Sequence, residues 1–139
     1  QMAVRYTYGG KQYYQIYNLA NGRFINPRNP VKRICLSATS GDFQGFDLYG
    51  TSIYTIEGSP RKSFLLGYDR SRRYQPTKIR RYNYAVRSKK TITVRGAKTL
   101  SFREPEGIKV LAGGQIYMMY VSNTLTNQSC NIYRVKRKI

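Results

Sequence analysis

Apolar and polar residues alternate along this chain in short runs, and Gly, Pro or Asn cuts each run within about ten residues. This patterning limits the fold more than any other feature. A period of two puts every second side chain on one face of a strand. A helix instead needs apolar positions three and four apart, sustained over several turns. No stretch keeps that helical spacing between recognisable caps. Tyr, Ile, Val, Thr and Phe fill the runs, and these residues suit a pleated, half-buried surface.

The runs follow one another along the chain. "AVRYTY" stops at Gly9-Gly10. "KQYYQIYNL" ends near the turn dipeptide Asn21-Gly22. "NPRNP" carries two prolines and is no central strand. "VKRICLSA" sets Ile34, Leu36 and Ala38 on one face. "SGDFQG" is a break. "FDLYGTSIYTIEG" reads as one long strand, with Ser52, Tyr54 and Ile56 on one side and Ile53 and Thr55 on the other. "KSFLLGYD" comes next, then a basic segment split by Pro76, then the strands "YNYAV", "KTITV" and "KTLSF". "REPEG" reads as a solvated turn. "IKVLA" stops at Gly113-Gly114. "QIYMMYVSNT" is apolar on both faces, as a central covered strand is, and "NIYRVKRKI" closes the chain. Short strands at spacings of about 8–12 residues predict an all-β, helix-poor sandwich or barrel. A single jelly roll, two packed antiparallel sheets of about eight main strands, fits the count and the length. With 139 residues the expectation is one domain over 1–139, residues 1–45 supplying N-terminal strands.

Charge decides the class of partner. The chain has 25 Lys or Arg against 6 Asp or Glu, a formal +19. Self-repulsion at that level costs stability, and it points to nucleic acid, an anionic surface or an acidic partner. The densest segment, "DRSRRYQPTKIRRYNYAVRSKK", sits in the middle of the chain, and Ser71 to Lys90 holds no acid. A solvated loop usually mixes signs. No apolar stretch approaches the roughly 20 residues of a membrane helix, and no charged-then-apolar leader opens the chain. Gln1 in place of Met fits a processed product or the ordered part of a longer chain.

Catalysis finds little support. There is no His, which removes the usual general base and metal ligand. Of the six acids only Glu104 and Glu106 stand close together, and no phosphate-cradling glycine loop is present. The reading is not an enzyme, with no cofactor and no metal. Cys35 and Cys130 lie in or beside apolar runs and read as buried free thiols.

The second part of the chain resembles the capsid proteins of small viruses with circular single-stranded DNA genomes and of small plant satellite viruses. "GFDLYGTSIYTIEG" and "KSFLLGYDRS" look like the first two long strands of that family. "RRYNYAVRSKKTITV" is similar to its aromatic run, apolar strand, basic turn and short strand. "GGQIYMMYVSNT" and "NIYRVKRKI" look like its last two strands. The likeness covers roughly Phe46 to Ile139. It implies one jelly-roll domain per subunit, self-assembly of many copies into a small icosahedral shell, packaged nucleic acid as partner, and a place in the virion, with assembly in the host nucleus or cytoplasm.

Single-stranded nucleic acid binds through cations on phosphates and aromatic rings under bases. The candidate contacts are Arg70, Arg72, Arg73, Tyr74, Lys78, Arg80, Arg81, Tyr82, Lys89 and Lys90, with a second cluster at Arg134, Lys136, Arg137 and Lys138. No zinc finger, helix-turn-helix or RNA-recognition motif appears, so binding is expected to tolerate sequence and to depend steeply on salt. Three readings stand: a shell-forming coat protein with a basic, Tyr-rich inner surface, a non-capsid β-barrel module that binds single strands, and a basic β-sandwich that binds acidic glycans or anionic membranes. The first two have no membrane partner.

Overall fold

A computed structural model describes residues 1–37, 42–59, 76–100, 103–123, 128–137 and 139. The strands are β1 (Met2–Tyr8), β2 (Lys11–Tyr17), β3 (Leu19–Ala20), β4 (Arg23–Phe24), β5 (Lys32–Ser37), β6 (Phe43–Tyr49), β7 (Ser52–Glu57), β8 (Thr77–Asn83), β9 (Ser88–Val94), β10 (Glu104–Leu111), β11 (Gln115–Asn123) and β12 (Gln128–Arg134). A 3₁₀ turn at Ala112–Gly114 is the single helical element among the described residues. The fold is all-β and every ladder is antiparallel. The chain divides into two compact units, Gln1–Ser40 and Gly41–Ile139.

In the first unit β1, β2 and β5 form one sheet in the order β1-β2-β5. Period-two alternation works here as the sequence implies. Gln12, Tyr14, Ile16 and Ile34 are buried on one face, and Tyr6, Tyr13 and Cys35 share the other. The β3-β4 hairpin turns at Asn21-Gly22, where φ is +50° and +74°. Positive φ at both central residues is what the right-handed twist of a two-residue hairpin asks for, and Asn-Gly supplies it at least cost.

The second unit holds two sheets, β6-β7-β8-β9 and β10-β11-β12. Tyr54, Ile56, Ile79 and Ile92 from the first meet Val110, Ile116, Met118 and Tyr120 from the second in one apolar cluster. The free edges of β6 and β10 approach each other without a ladder, and side chains make the join. Asp47 accepts from the Val110 amide at 2.6 Å and pairs with Lys109 at 3.1 Å. The Gly113 amide donates to the Tyr49 hydroxyl, and Gln44 donates to Glu104. The backbones run so close that a Cβ on Gly45 would stand 3.4 Å from the Gly107 Cα. At the other end no ladder joins β9 to β12.

Five expectations change, and "KSFLLGYD" lies outside the described residues. "KTLSF" does not begin as a strand: Lys98 and Thr99 form a turn, in which the Leu100 amide donates to the Ala97 carbonyl. "FDLYGTSIYTIEG" is a hairpin, not one strand, because Gly50 (φ +56°) lets the chain turn between Tyr49 and Ser52. The strand expected at "YNYAV" starts earlier: β8 is the basic stretch "TKIRRYN", and Val86 is exposed in the turn that follows. "REPEG" is the start of β10, not a solvated turn. Pro105 is buried there on an edge strand beside a bulge, the places where a sheet accepts proline. Both cysteines are free but exposed. Ile34 and Leu36 take the buried side of β5, so Cys35 between them points the other way. Neighbouring strands of the second unit are consecutive in sequence, whereas a jelly roll interleaves strands from two Greek keys.

Candidate nucleic-acid interface

Alternation along β8 sorts the basic run into two faces. Ile79 and Thr77 point into the core, so Lys78, Arg80 and Tyr82 stand on the outer face. Tyr82 lies opposite Lys89 of β9, and the Lys89 ammonium sits 5.9 Å from the Tyr82 ring centre. Lys78, Arg80, Tyr82 and Lys89 therefore share a face, half-buried along β8, where its β7 neighbours Glu57, Thr55 and Ile53 are buried, and exposed at Lys89. Arg81 and Lys90, paired across the same ladder, share the opposite face. The Arg81 Nε donates to the Ser52 hydroxyl at 3.1 Å beside Tyr54, a cation placed to hold β7 to β8. Burial pushes the Tyr54 hydroxyl pKa up, and Arg81 offsets part of that.

Arg80 is less available to a phosphate than its sequence position suggests. Its Nε lies 2.8 Å from Glu57 Oε1, and the Glu57 side chain is 1% exposed. Burial raises the Glu57 pKa above the ordinary carboxylate range, while Arg80, Lys78 and a hydrogen bond from Thr55 pull it back. Lys78 faces Glu57 across the ladder, which explains its share.

The second basic cluster lies at the open seam between β9 and the end of β12. A groove of about 350 Å³ runs there. Ile92, Val94, Met118 and Tyr120 floor it, Tyr133 stands at its side, and Arg95, Arg134, Lys136 and Arg137 surround it. Beneath the floor is a buried cation. Arg103, 2% exposed, donates from Nη2 to the Tyr120 hydroxyl at 2.7 Å and from Nε to the Gly96 carbonyl at 2.9 Å. Tyr120 in turn donates to Thr77 Oγ1 at 2.9 Å. Burial raises the Tyr120 pKa, with Thr77 and Arg103 acting against it. The hydroxyl stays protonated and the positive charge beneath the groove stays uncancelled by it.

The described acids are each engaged within the unit. Asp47 and Glu104 hold the β6–β10 seam, Asp42 accepts from Ser59, and Glu57 holds Arg80. Glu106 sits beside Glu104, and burial and that neighbour both raise its pKa. Asp47 and Glu104 thus stand at the closed seam, Glu57 stands against Arg80 and Lys78 of β8, and Arg134, Lys136 and Arg137 stand at the open seam.

Of the residues named from sequence, Lys78, Arg80, Tyr82 and Lys89 come together on one face. Arg134, Lys136 and Arg137 come together at the groove. Arg81 and Lys90 lie on the opposite face of the first group. Arg70, Arg72, Arg73, Tyr74 and Lys138 lie outside the described residues. Tyr84, interleaved with the basic run, ties the β8–β9 turn to the β6–β7 turn instead, its hydroxyl donating to the Gly50 carbonyl and its amide to the Thr51 carbonyl. Sequence reasoning missed Arg95. The signal was present: a cation directly after the alternating strand "KTITV", where the chain leaves the sheet at an open edge. Among the described residues no group of acids and thiols could hold a metal, and no helix is long and apolar enough to cross a membrane. No family model, curated protein or solved structure matches the chain.

Proposed function

We propose that this chain binds single-stranded nucleic acid without sequence preference, with phosphates on Lys78, Lys89, Arg95, Arg134, Lys136 and Arg137. The observation that carries the reading is the excess of cations within the second unit. The described cations of that unit outnumber its described acids, and Arg134, Lys136 and Arg137 are gathered around one groove. An external polyanion is the partner that offsets them. Fluorescence anisotropy of labelled oligonucleotides across a salt series tests this. Affinity should fall steeply and linearly in log–log form, alike for unrelated sequences. A flat salt response refutes it.

A second reading adds a shell to the same binding. A coat protein must expose apolar surface to its neighbours, and Tyr8, Ile25, Val86 and Ile132 are each at least 65% exposed. β1, β9 and β12 also end their sheets with a free edge, a ready place for another copy. In this reading the chain is the small icosahedral coat protein that the family resemblance implies, and its two antiparallel sheets are the packed layers of a jelly-roll-like subunit. Electron microscopy of the purified protein, with the ratio of absorbance at 260 and 280 nm, separates the two. Uniform round particles with a high ratio support the shell. A small, monodisperse species that binds oligonucleotides leaves the module alone.

A further inference from the structure

The first unit contains no acid at all, and its six cations are Arg5, Lys11, Arg23, Arg28, Lys32 and Arg33. Its β1-β2-β5 sheet buries one face and opens the other. Three cross-strand rows make up the open face. Tyr6, Tyr13 and Cys35 form the central row. Tyr8, Lys11 and Ser37 form the row on one side, and Val4, Gln15 and Arg33 the row on the other. Rows on one face repeat about every 7 Å along a strand.

The central row is a prepared aromatic platform. The Tyr6 and Tyr13 rings stack with centres 5.1 Å apart and planes 9° apart. Cys35 hydrogen-bonds Tyr13 from the next strand. Tyr6 is 42% exposed and Tyr8 is 76% exposed. Lys11 and Arg33, both exposed, flank the platform one row to either side. Rings at the centre with a cation on each side fit a base stacked on tyrosine with its two flanking phosphates on Lys11 and Arg33.

We propose that the open face of the β1-β2-β5 sheet is a second single-strand binding surface, on which bases stack against Tyr6 and Tyr8. Charge selects this occupant. An apolar protein partner gains nothing from Lys11 and Arg33 in an acid-free setting, whereas a polynucleotide uses both the rings and the cations. The inference rests on the nucleic-acid reading above, and it adds that bases, not only phosphates, are bound. None of its residues belongs to the β8–β9 surface or the groove.

The test uses the full chain and two probes of equal length, oligo-dT and an abasic sugar-phosphate strand. Wild type should prefer oligo-dT by roughly fivefold or more, the ratio that corresponds to stacking of a single base. Tyr6→Leu with Tyr8→Leu should abolish the preference while leaving abasic affinity and the salt slope unchanged. Tyr6→Phe with Tyr8→Phe, which keeps the rings, should retain it. Circular dichroism confirms that both variants fold. Binding of both probes by wild type with equal affinity overturns this proposal alone, and failure to bind either overturns the proposed function with it. A preference that survives the Leu pair also overturns it. So does a fall in oligomeric state on gel filtration of the Leu pair without nucleic acid, which assigns the face to contacts between copies.

Discussion

Arg80 and Lys89 lie in the same basic run and look equivalent in sequence, yet they should answer truncation in opposite ways. Lys89 is exposed on β9, and its one described contact is with the Tyr82 ring. Lys89→Ala should cost folding about 0.5 kcal/mol or less. Each phosphate contact to a single strand contributes about 0.7 to the log–log salt slope. Losing one should lower the slope by about that amount, so the affinity advantage of wild type shrinks about fivefold over a tenfold rise in salt. Arg80→Ala instead strands the Glu57 carboxylate, which is 1% exposed. Breaking a fully buried pair costs about 3–5 kcal/mol. The Arg80 side chain is 36% exposed and Lys78 stands opposite Glu57, so about 2 kcal/mol is the better figure. That corresponds to a melting point lower by about 5–10 °C, with the salt slope kept. Thermal unfolding and anisotropy on both variants decide the matter. If Arg80→Ala lowers the slope while melting is unchanged, the Glu57 pairing is not what holds Arg80. If Lys89→Ala leaves the slope intact, the β8–β9 face is not a phosphate surface.

Three further outcomes follow from the geometry. Tyr120→Phe removes the hydroxyl that joins Arg103 to Thr77, leaving two buried polar groups short of a partner, and should destabilise by about 1–3 kcal/mol in urea unfolding; an unchanged midpoint refutes the bridge. Because burial raises the folded-state pKa of Glu57, the folded chain holds that proton more tightly than the unfolded one. Stability relative to Glu57→Gln should therefore be greatest below the ordinary carboxylate pKa of about 4.3 and fall as pH rises through the raised value; urea midpoints in which the wild-type advantage grows with pH would contradict this. Cys35 and Cys130 should both react with a chromogenic disulfide reagent in the native protein, without denaturant, and thiols that titrate only after unfolding would contradict their exposure.

Period-two patterning carried most of the strand content, and its failures have local causes. It grouped Ile34 with Leu36 and Ile92 with Val94, and Ile34 and Ile92 are buried between exposed neighbours. On β7 every residue from Ser52 to Glu57 is buried, so alternation there does not separate a core face from a wet one. It merged β6 with β7 because Gly50 alone marks the turn between two apolar runs. It set β8 too late because Lys78, Arg80 and Arg81 hide a strand whose core side is carried by Thr77 and Ile79 alone. It gave "REPEG" to solvent because Pro and two acids dominate its composition, while the bulge between Pro105 and Gly107 and the closing of the seam by Glu104 are tertiary facts. At the candidate site, sequence named the cations but not their sides. A one-residue step on β8 separates Arg80 from Arg81, and only the register against Ile79 and Ile92 assigns them to opposite faces. The aromatic platform on β1 and β2 went unread because a tyrosine in an alternating run signals packing and exposure equally.

The way the second unit closes bears on why the chain keeps so large a charge. A backbone ladder between β6 and β10 would have closed the sheets without any carboxylate. Here Asp47 and Glu104 do part of that work through Val110, Lys109 and Gln44. The acids are thereby fixed at one seam, and exposed charges more than about 8–10 Å apart are largely screened from each other at physiological salt. Asp47 and Glu104 are engaged at that seam, while Arg134, Lys136 and Arg137 gather around the groove. On the proposed function, a polyanion seated on the open seam would supply relief from outside the chain, and it would bind the folded state, where these cations are gathered, better than the unfolded chain, where they are dispersed. Binding and folding are then linked by mass action, and the excess of charge that weakens the bare protein is the same feature that lets its partner stabilise it.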